Sequence, residues 1–303
     1  ALSGGADSLA LAAAVAFEAP KLGLQAASVT VDHGLQTGSD AVAATAARAA
    51  VALGLDAQVV EVQVAHAGDG TEAAARDARY GALFDAARRL GAVAVLTAHT
   101  LDDQAETVLL GLARGAGAAS LQGMAPAADR GGILLLRPLL GVRRSDTLAA
   151  CAAEHLEPWR DPHNDDPRYA RVRVRRTVLP TLESELGPGI AEALARTAEQ
   201  LQEDAAAFAD MIDETIEDIV EHAEAGIAVS AVALAANPAA LRHRIIRHVV
   251  ASEFGASLTR TQTLEVARLA TDWTGQGPID LPGCRARRAG ALVVFEAAHP
   301  PRR

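Results

Sequence analysis

Lysine is almost missing from this chain: Lys21 is the only one among 303 residues. That excludes a Walker A loop, which needs a lysine directly after its second glycine. Cysteine is nearly as scarce. Cys151 and Cys284 stand alone and far apart, which rules out a disulfide framework, a CxxC pair and a cysteine-held zinc or iron–sulfur centre. Aromatic residues make up 3% of a chain that is 50% apolar, so the core must be built from Ala, Val and Leu. No apolar run approaches the roughly 18 to 20 residues of a membrane span, and no secretory signal is recognisable; the expectation is a cytoplasmic protein without a membrane partner. The net charge of −10 counts against nucleic acid as a general partner. The length suits one large domain or two. No internal repeat or low-complexity tail is present.

The most informative stretch comes first, Leu2-Ser3-Gly4-Gly5-Ala6-Asp7-Ser8-Leu9. Paired glycines let the backbone turn where a Cβ would clash, so successive N–H groups can face one concavity. The alanine-rich run behind them favours a helix. Donors feeding a helix N-terminus make an anion site, to which Ser3 and Ser8 add hydroxyls. A carboxylate at Asp7 suits such a site if it holds a metal ion. A Ser-Gly-Gly turn capping a helix, with Asp7 well placed in the first turn, accounts for the same residues.

Strands and helices then alternate. Residues 24–31 read as a strand ending at Asp32-His33-Gly34, and 39–53 as a helix. A strand over 57–62 precedes a long helix over 71–90 carrying Arg76, Asp77, Arg79 and Tyr80. A short apolar strand over 93–98 ends at His99, and Asp102-Asp103-Gln104 open a helix to Arg114. This pattern predicts a doubly wound α/β fold with a parallel sheet. Three polar clusters, at residues 3–8, 32–34 and 99–103, then fall at carboxyl ends of strands, where open α/β sheets bind ligands. Asp102 and Asp103 also suit a first helical turn for electrostatic reasons alone.

Arg114-Gly115-Ala116-Gly117 is a glycine-punctuated loop, either functional or a plain connector. Residues 133–140 read as a buried strand halted by Pro138. Arg168, Arg171, Arg173, Arg175 and Arg176 form a run free of acid, either a solvated face or, with arginine's bidentate geometry, a contact for nucleic-acid phosphates. From about Leu179 the character changes to long amphipathic helices over 190–225 and 237–254, then a hairpin of 279–284 with 291–295. The expected division is therefore 1–179 and 180–303, the second domain smaller and mainly helical. The sequence begins at what reads as the end of a first strand, so a short preceding segment is expected.

Ser3-Gly4-Gly5-Ala6-Asp7-Ser8 resembles the pyrophosphate loop of the PP-loop ATP pyrophosphatases, whose signature is SGGxDS. Within that superfamily the chain is similar to the tRNA(Ile)-lysidine synthetases. The resemblance is carried by Asp32-His33-Gly34-Leu35, Glu72–Ala75 with Arg79-Tyr80, and His99-Thr100-Leu101-Asp102-Asp103-Gln104-Ala105-Glu106-Thr107. It continues through Arg114 to Gly117, Arg137-Pro138-Leu139-Leu140, and Asp161 to Asn164 with Tyr169, Arg171, Arg173 and Arg175. It runs to about residue 180 and loosens beyond. His163 and Val172 depart from the family's commoner small polar residues. The extra C-terminal domain of longer members is not expected.

The resemblance implies a ligase that uses ATP and Mg²⁺. It would adenylate the wobble cytidine of the isoleucine tRNA with a CAU anticodon, and free L-lysine would then displace AMP to give lysidine. It implies ATP on Ser3, Gly4, Gly5, Ala6, Asp7, Ser8, Asp32, His33, Arg79 and Gly115. Asp7, His99 and Asp103 would be catalytic, with Asp7 and Asp103 on the metal. Arg114, Arg168, Arg171, Arg173 and Arg175 would meet tRNA, Glu106 the lysine ammonium, and a homodimer stays open. Two other enzyme classes share the loop, a tRNA thiolase and a small-molecule amidating ligase. A non-catalytic nucleotide-binding module is the third alternative.

Overall fold

A computed structural model of the chain describes residues 1–34, 38–62, 71–115, 117–223 and 226–298, without the side chains of 71–75, His163 and 222–223. Leu35 and Ala116 of the motifs above, and the side chains of Glu72–Ala75, lie outside the described residues. The chain divides into two compact units, Ala1–Gln202 and Glu203–Arg303. The division falls inside a helix, later than the change of sequence character near Leu179.

The first unit alternates as the pattern predicts: α1 (Ala6–Glu18), β1 (Ala27–Asp32), α2 (Ser39–Ala52), β2 (Asp56–Glu61), α3 (Thr71–Leu90), β3 (Ala94–Leu96) and α4 (Leu101–Arg114). It goes on through α5 (Ala118–Leu121), β4 (Ala127–Asp129), β5 (Leu134–Leu136), α6 (Arg144–Ala153) and α7 (Ala170–Arg173). A π-helical turn, Val174–Val178, leads from α7 into α8 (Leu179–Leu186), and α9 (Ile190–Ile219) carries the division between the units. β1 runs parallel to β2 and β3 parallel to β5, while β4 joins β5 antiparallel at the edge. Residues 1 and 2 link the two sets: Leu2 N–H donates to Val29 O at 2.9 Å, and Ala1 N to Leu96 O at 2.7 Å.

Helices cover both faces. On one, Leu83, Phe84, Ala86 and Ala87 of α3 pack on Val29, Val95, Ile133 and Leu135. On the other, Leu9 and Ala12 of α1 meet Ala46 and Ala50 of α2, with Cys151 of α6. With so few aromatics, alanine fills these seams, and its small side chain brings helix and sheet close. β5 is shorter than the strand expected over 133–140, because Pro138 has no N–H for a ladder. The strand ends and the chain's first turn share one edge, where the first turn of α6 also arrives.

The second unit, taken by itself, holds more strand than expected. The helix expected to reach 225 stops at Ile219, and β6 (Val220–Ala223) begins at once. β7 (Gly226–Ser230), β8 (Ile279–Leu281), β9 (Cys284–Ala289) and β10 (Leu292–Ala297) complete an antiparallel sheet in the order β6-β7-β10-β9-β8. The expected hairpin is thus three strands. β9, CRARRA, is too basic to read as a strand, yet its Cys284 and Ala286 point inward with period two. α10 (Ala231–Ala236), α11 (Ala239–Phe254) and α12 (Arg260–Thr271) cover this sheet through Leu234, Ile245, Ile246, Val249, Val266 and Leu269, against Val293 and Phe295. No helix among the described residues is long and apolar enough to cross a membrane.

Candidate functional site

The glycine turn between residue 2 and α1 closes on itself. Ser3 N–H donates to Ser8 Oγ at 3.2 Å, the two Oγ atoms lie 3.2 Å apart, and Ser8 Oγ donates to Gly5 O at 2.9 Å. Gly4 holds φ +83°, and a Cβ there would come within 3.4 Å of the Ala46 Cβ of α2. Its carbonyl accepts the N–H of Trp159 at 2.9 Å. Gly5 caps α1 without a side-chain hydrogen bond, which leaves the first-turn amides available to an anion. Gly4→Ala should therefore cost about 1–2 kcal/mol for the left-handed backbone alone. Urea denaturation checks that loss, and calorimetric titration with ATP should show weakened binding.

Asp7, in the first turn of α1, does not stand free. Its Oδ1 accepts the Thr147 hydroxyl, and its Oδ2 lies 3.3 Å from Arg144 Nε. Asp103 of α4 meets the same guanidinium, with Arg144 Nη2 donating to its Oδ1 at 2.9 Å. Its Oδ2 accepts the N–H and the hydroxyl of Thr100, each at 2.9 Å, and completes a capping box at the start of α4. Burial works to raise the Asp103 pKa, but Arg144, Thr100 and Arg171 outweigh it and hold it below the usual carboxylate range. Asp102 accepts the backbone N–H of Arg144 at 2.7 Å, and so ties the start of α6 to that of α4.

One turn further along α4, Glu106 is 0% exposed. Arg171 Nε donates to its Oε2 at 2.7 Å, and Arg175 forks onto both oxygens at 2.6 and 3.1 Å. Arg144 Nη1 lies 3.5 Å from Oε1. Arg171 also reaches Asp103 O and Thr107 Oγ1, each at 3.1 Å. Arg171 and Arg175, expected on RNA phosphates, thus turn inward from α7 and the π-helical turn. Glu106, expected at the lysine ammonium, has both oxygens occupied.

The other side of the edge is cationic. Burial, then Arg79, lowers the pKa of His33, whose Nδ1 has no hydrogen-bond partner among the described residues. Asp32 holds the N–H of Gly34 at 3.0 Å in a tight turn. Arg79 feels Arg76 and Arg171 as well as burial, all of which lower its pKa, and it makes no ion pair among the described residues. His99 Nδ1 lies 3.0 Å from Thr97 Oγ1. Burial brings its pKa down to about 4; Asp103 opposes the shift, and Arg137, Arg171 and Arg79 add to it.

His99 is therefore neutral at pH 7. Its unfolded imidazole titrates near 6.5, so between that value and about 4 the unfolded state binds more protons. This group makes stability rise with pH across that window. His99→Gln should flatten the rise, measured by urea denaturation at about pH 5 and about pH 7.

Not every expected site residue gathers here. Gly115 caps the far end of α4 with φ +66°, about 20 Å along the helix from Thr100 at 1.5 Å per residue. Arg114 is exposed beside it. Arg168 is exposed and pairs with Asp166 at 2.6 Å, and Arg173 donates to the carbonyls of Pro167 and Arg168. Sequence reading missed Arg144 and Thr147, which follow the Arg137–Leu140 motif with no local signal of their own. Among the described residues no three His, Cys, Asp or Glu side chains gather as a metal site.

Comparison with known proteins matches the PP-loop domain to residues 1–182 and the TilS substrate binding domain to residues 230–291. A tRNA(Ile)-lysidine synthase of Leifsonia xyli subsp. xyli is 59% identical over 99% of this chain and 88% of its own length. Those of Salinispora arenicola and Streptomyces coelicolor are 51% and 50% identical, over 99% and 97% of this chain and 91% and 84% of theirs. Among solved structures, the U34-tRNA thiolase NcsA of Methanococcus maripaludis shares the fold, with a TM-score of 0.55 and 18% identity over 67% of this chain and 71% of that one.

Proposed function

The chain belongs to the tRNA(Ile)-lysidine synthase family, and on that premise we propose that it ligates free L-lysine to C2 of the wobble cytidine in the CAU-anticodon isoleucine tRNA. The observation that carries the reading is the glycine turn at the sheet's carboxyl edge, with uncapped α1 amides, Asp7 in the same first turn, and Arg79, without an ion pair among the described residues, beside His33. ATP phosphates suit that edge, with backbone donors at the glycine turn and the Arg79 guanidinium free of an ion pair among the described residues. The unpartnered His33 Nδ1 and the Asp32 turn suit the adenosine.

The cytidine O2 attacks the α-phosphorus, the bond to the bridging oxygen breaks, and pyrophosphate leaves. Lysine's ε-amine then attacks C2, the C2–O2 bond breaks with AMP as leaving group, and the amine loses a proton. No enzyme nucleophile is needed; the chain orients the reactants and compensates charge. A neutral His99 can exchange hydrogen bonds there without adding a cation.

Asp7 and Asp103 bring carboxylate oxygens onto one guanidinium, and hard oxygen donors of this kind suit a small divalent cation whose other ligands would be phosphate and water. Mg²⁺ held there would neutralise charge developing on departing pyrophosphate. The exposed Arg114, Arg168 and Arg173 are left for RNA phosphates. The ATP-binding catalytic domain is then the first unit, 1–202 rather than 1–179, and the tRNA-binding domain the second, with the protein acting in the cytoplasm.

The thiolase alternative is not favoured: that likeness is one of fold, and the buried Cys151 and Cys284 belong to different units. The test is pyrophosphate release with ATP, Mg²⁺ and lysine, with and without the CAU isoleucine tRNA. Release and lysine incorporation should both require the tRNA. Release without it would indicate a small-molecule ligase, and bound ATP without turnover a nucleotide-binding module.

A further inference from the structure

Arg144 was expected nowhere, yet three carboxylates converge on it. Its Nε lies 3.3 Å from Asp7, its Nη2 2.9 Å from Asp103 and its Nη1 3.5 Å from Glu106. Only with Arg144 counted does the ion-paired cluster balance in charge: Asp7, Asp103 and Glu106 face Arg144, Arg171 and Arg175. Thr100 and Thr147 contribute neutral hydroxyls, His99 is uncharged at neutral pH, and Asp102 is shared with Arg143 at 3.5 Å. A guanidinium does not lose its proton in a protein, so the charge is permanent.

We propose that Arg144 is a resident cation of the divalent-metal position, standing between Asp7 and Asp103 so that metal enters only together with the nucleotide. The inference rests on the reading that these two carboxylates hold Mg²⁺. A dication added to a balanced cluster leaves two uncompensated positive charges in a partly buried site, where repulsion is weakly screened. Added with the polyphosphate, the same dication is compensated. The guanidinium, released from Asp7 and Asp103, is then a cation free to face phosphate, for which its fork is suited. Arg144 is thus a positioning residue that couples metal entry to ATP and prevents the acidic pair from capturing metal alone.

The test uses Mn²⁺ as the probe, with free aqueous Mn²⁺ counted by electron paramagnetic resonance in the full chain. The wild type should bind Mn²⁺ weakly alone and tightly with ATP. Arg144→Gln removes one positive charge and leaves both carboxylates facing each other's space. Its nucleotide-free Mn²⁺ affinity should rise by at least about tenfold. Adding Asp103→Asn should cancel that gain, and Arg144→Lys, which keeps the charge, should stay like the wild type.

Tight Mn²⁺ binding by the nucleotide-free wild type would overturn the proposal, and needs no variant that might misfold. An Arg144→Gln protein that binds Mn²⁺ no better than the wild type would also overturn it, while the metal assignment stands if Asp103→Asn still abolishes Mn²⁺ uptake with ATP. Unchanged uptake with ATP in both Asp7→Asn and Asp103→Asn would instead remove the metal assignment beneath it.

Discussion

Asp103→Asn is expected to lower tRNA-dependent pyrophosphate release by roughly 10²–10³-fold, the scale seen when one preorganised charge-stabilising group is lost. The choice of asparagine matters. Asp103 performs two tasks with different oxygens: Oδ2 caps α4 through Thr100, and Oδ1 faces Arg144. Asparagine can still accept from Thr100 and keep the cap, but it brings no charge to the metal position. Asp103→Ala would lose both, adding about 1 kcal/mol of lost capping to the catalytic defect. Comparing the two separates the charge from the cap: both should be inactive, and the alanine variant should shift the urea midpoint further by the loss of the cap. An asparagine variant with full turnover would sink the assignment of Asp103 to the reacting phosphates.

Glu106→Gln should destabilise the first unit by about 3–5 kcal/mol, the usual cost of removing one member of a buried ion cluster. Both Glu106 oxygens are held by Arg171 and Arg175, and the residue has no exposed surface. Glutamine keeps the shape, but its NH₂ would present hydrogens to one guanidinium, and two arginines would share one neutral oxygen. A loss of this size is a large share of the roughly 5–15 kcal/mol that holds a typical domain together. α7 and the π-helical turn, held to α4 through those arginines, should loosen first, which hydrogen exchange of 170–178 would report. The measurement also tests the other role expected of this residue. Unchanged stability with a raised KM for lysine would place Glu106 at the substrate ammonium and leave the arginines held by something else.

The two variants divide the site in a way its residue types do not announce. Asp103 and Glu106 are three positions apart, on one face of α4. Asp103 is at the helix mouth with one oxygen turned toward the catalytic edge, whereas Glu106, a turn deeper, is wholly occupied in holding the next segment of chain. The same arginine-rich run, read as a contact for RNA phosphates, splits by burial: Arg171 and Arg175 face in, while Arg168 and Arg173 face out.

Local sequence determined a good deal of this protein. The alternation of short apolar strands with alanine-rich helices dictated the doubly wound sheet, since each strand's period and each helix's composition act over a few residues. The glycine pair at 4 and 5, and the Thr100–Asp103 box, likewise carry their geometry with them: a positive φ and a capped first turn are local properties. That the 3–8, 32–34 and 99–103 segments meet at one edge followed from the same topology. Tertiary structure decided the rest. Arg144 lies 137 residues from Asp7 and 41 from Asp103, and nothing around it marks it as their partner. Gly115 follows a helix whose length carries it away from the strand ends. β9 hid behind its arginines, because strand pairing depends on a neighbour that sequence alone does not display. The sign of each charge was legible from the start; its partner was not, because ion pairing is set by distance in the folded chain.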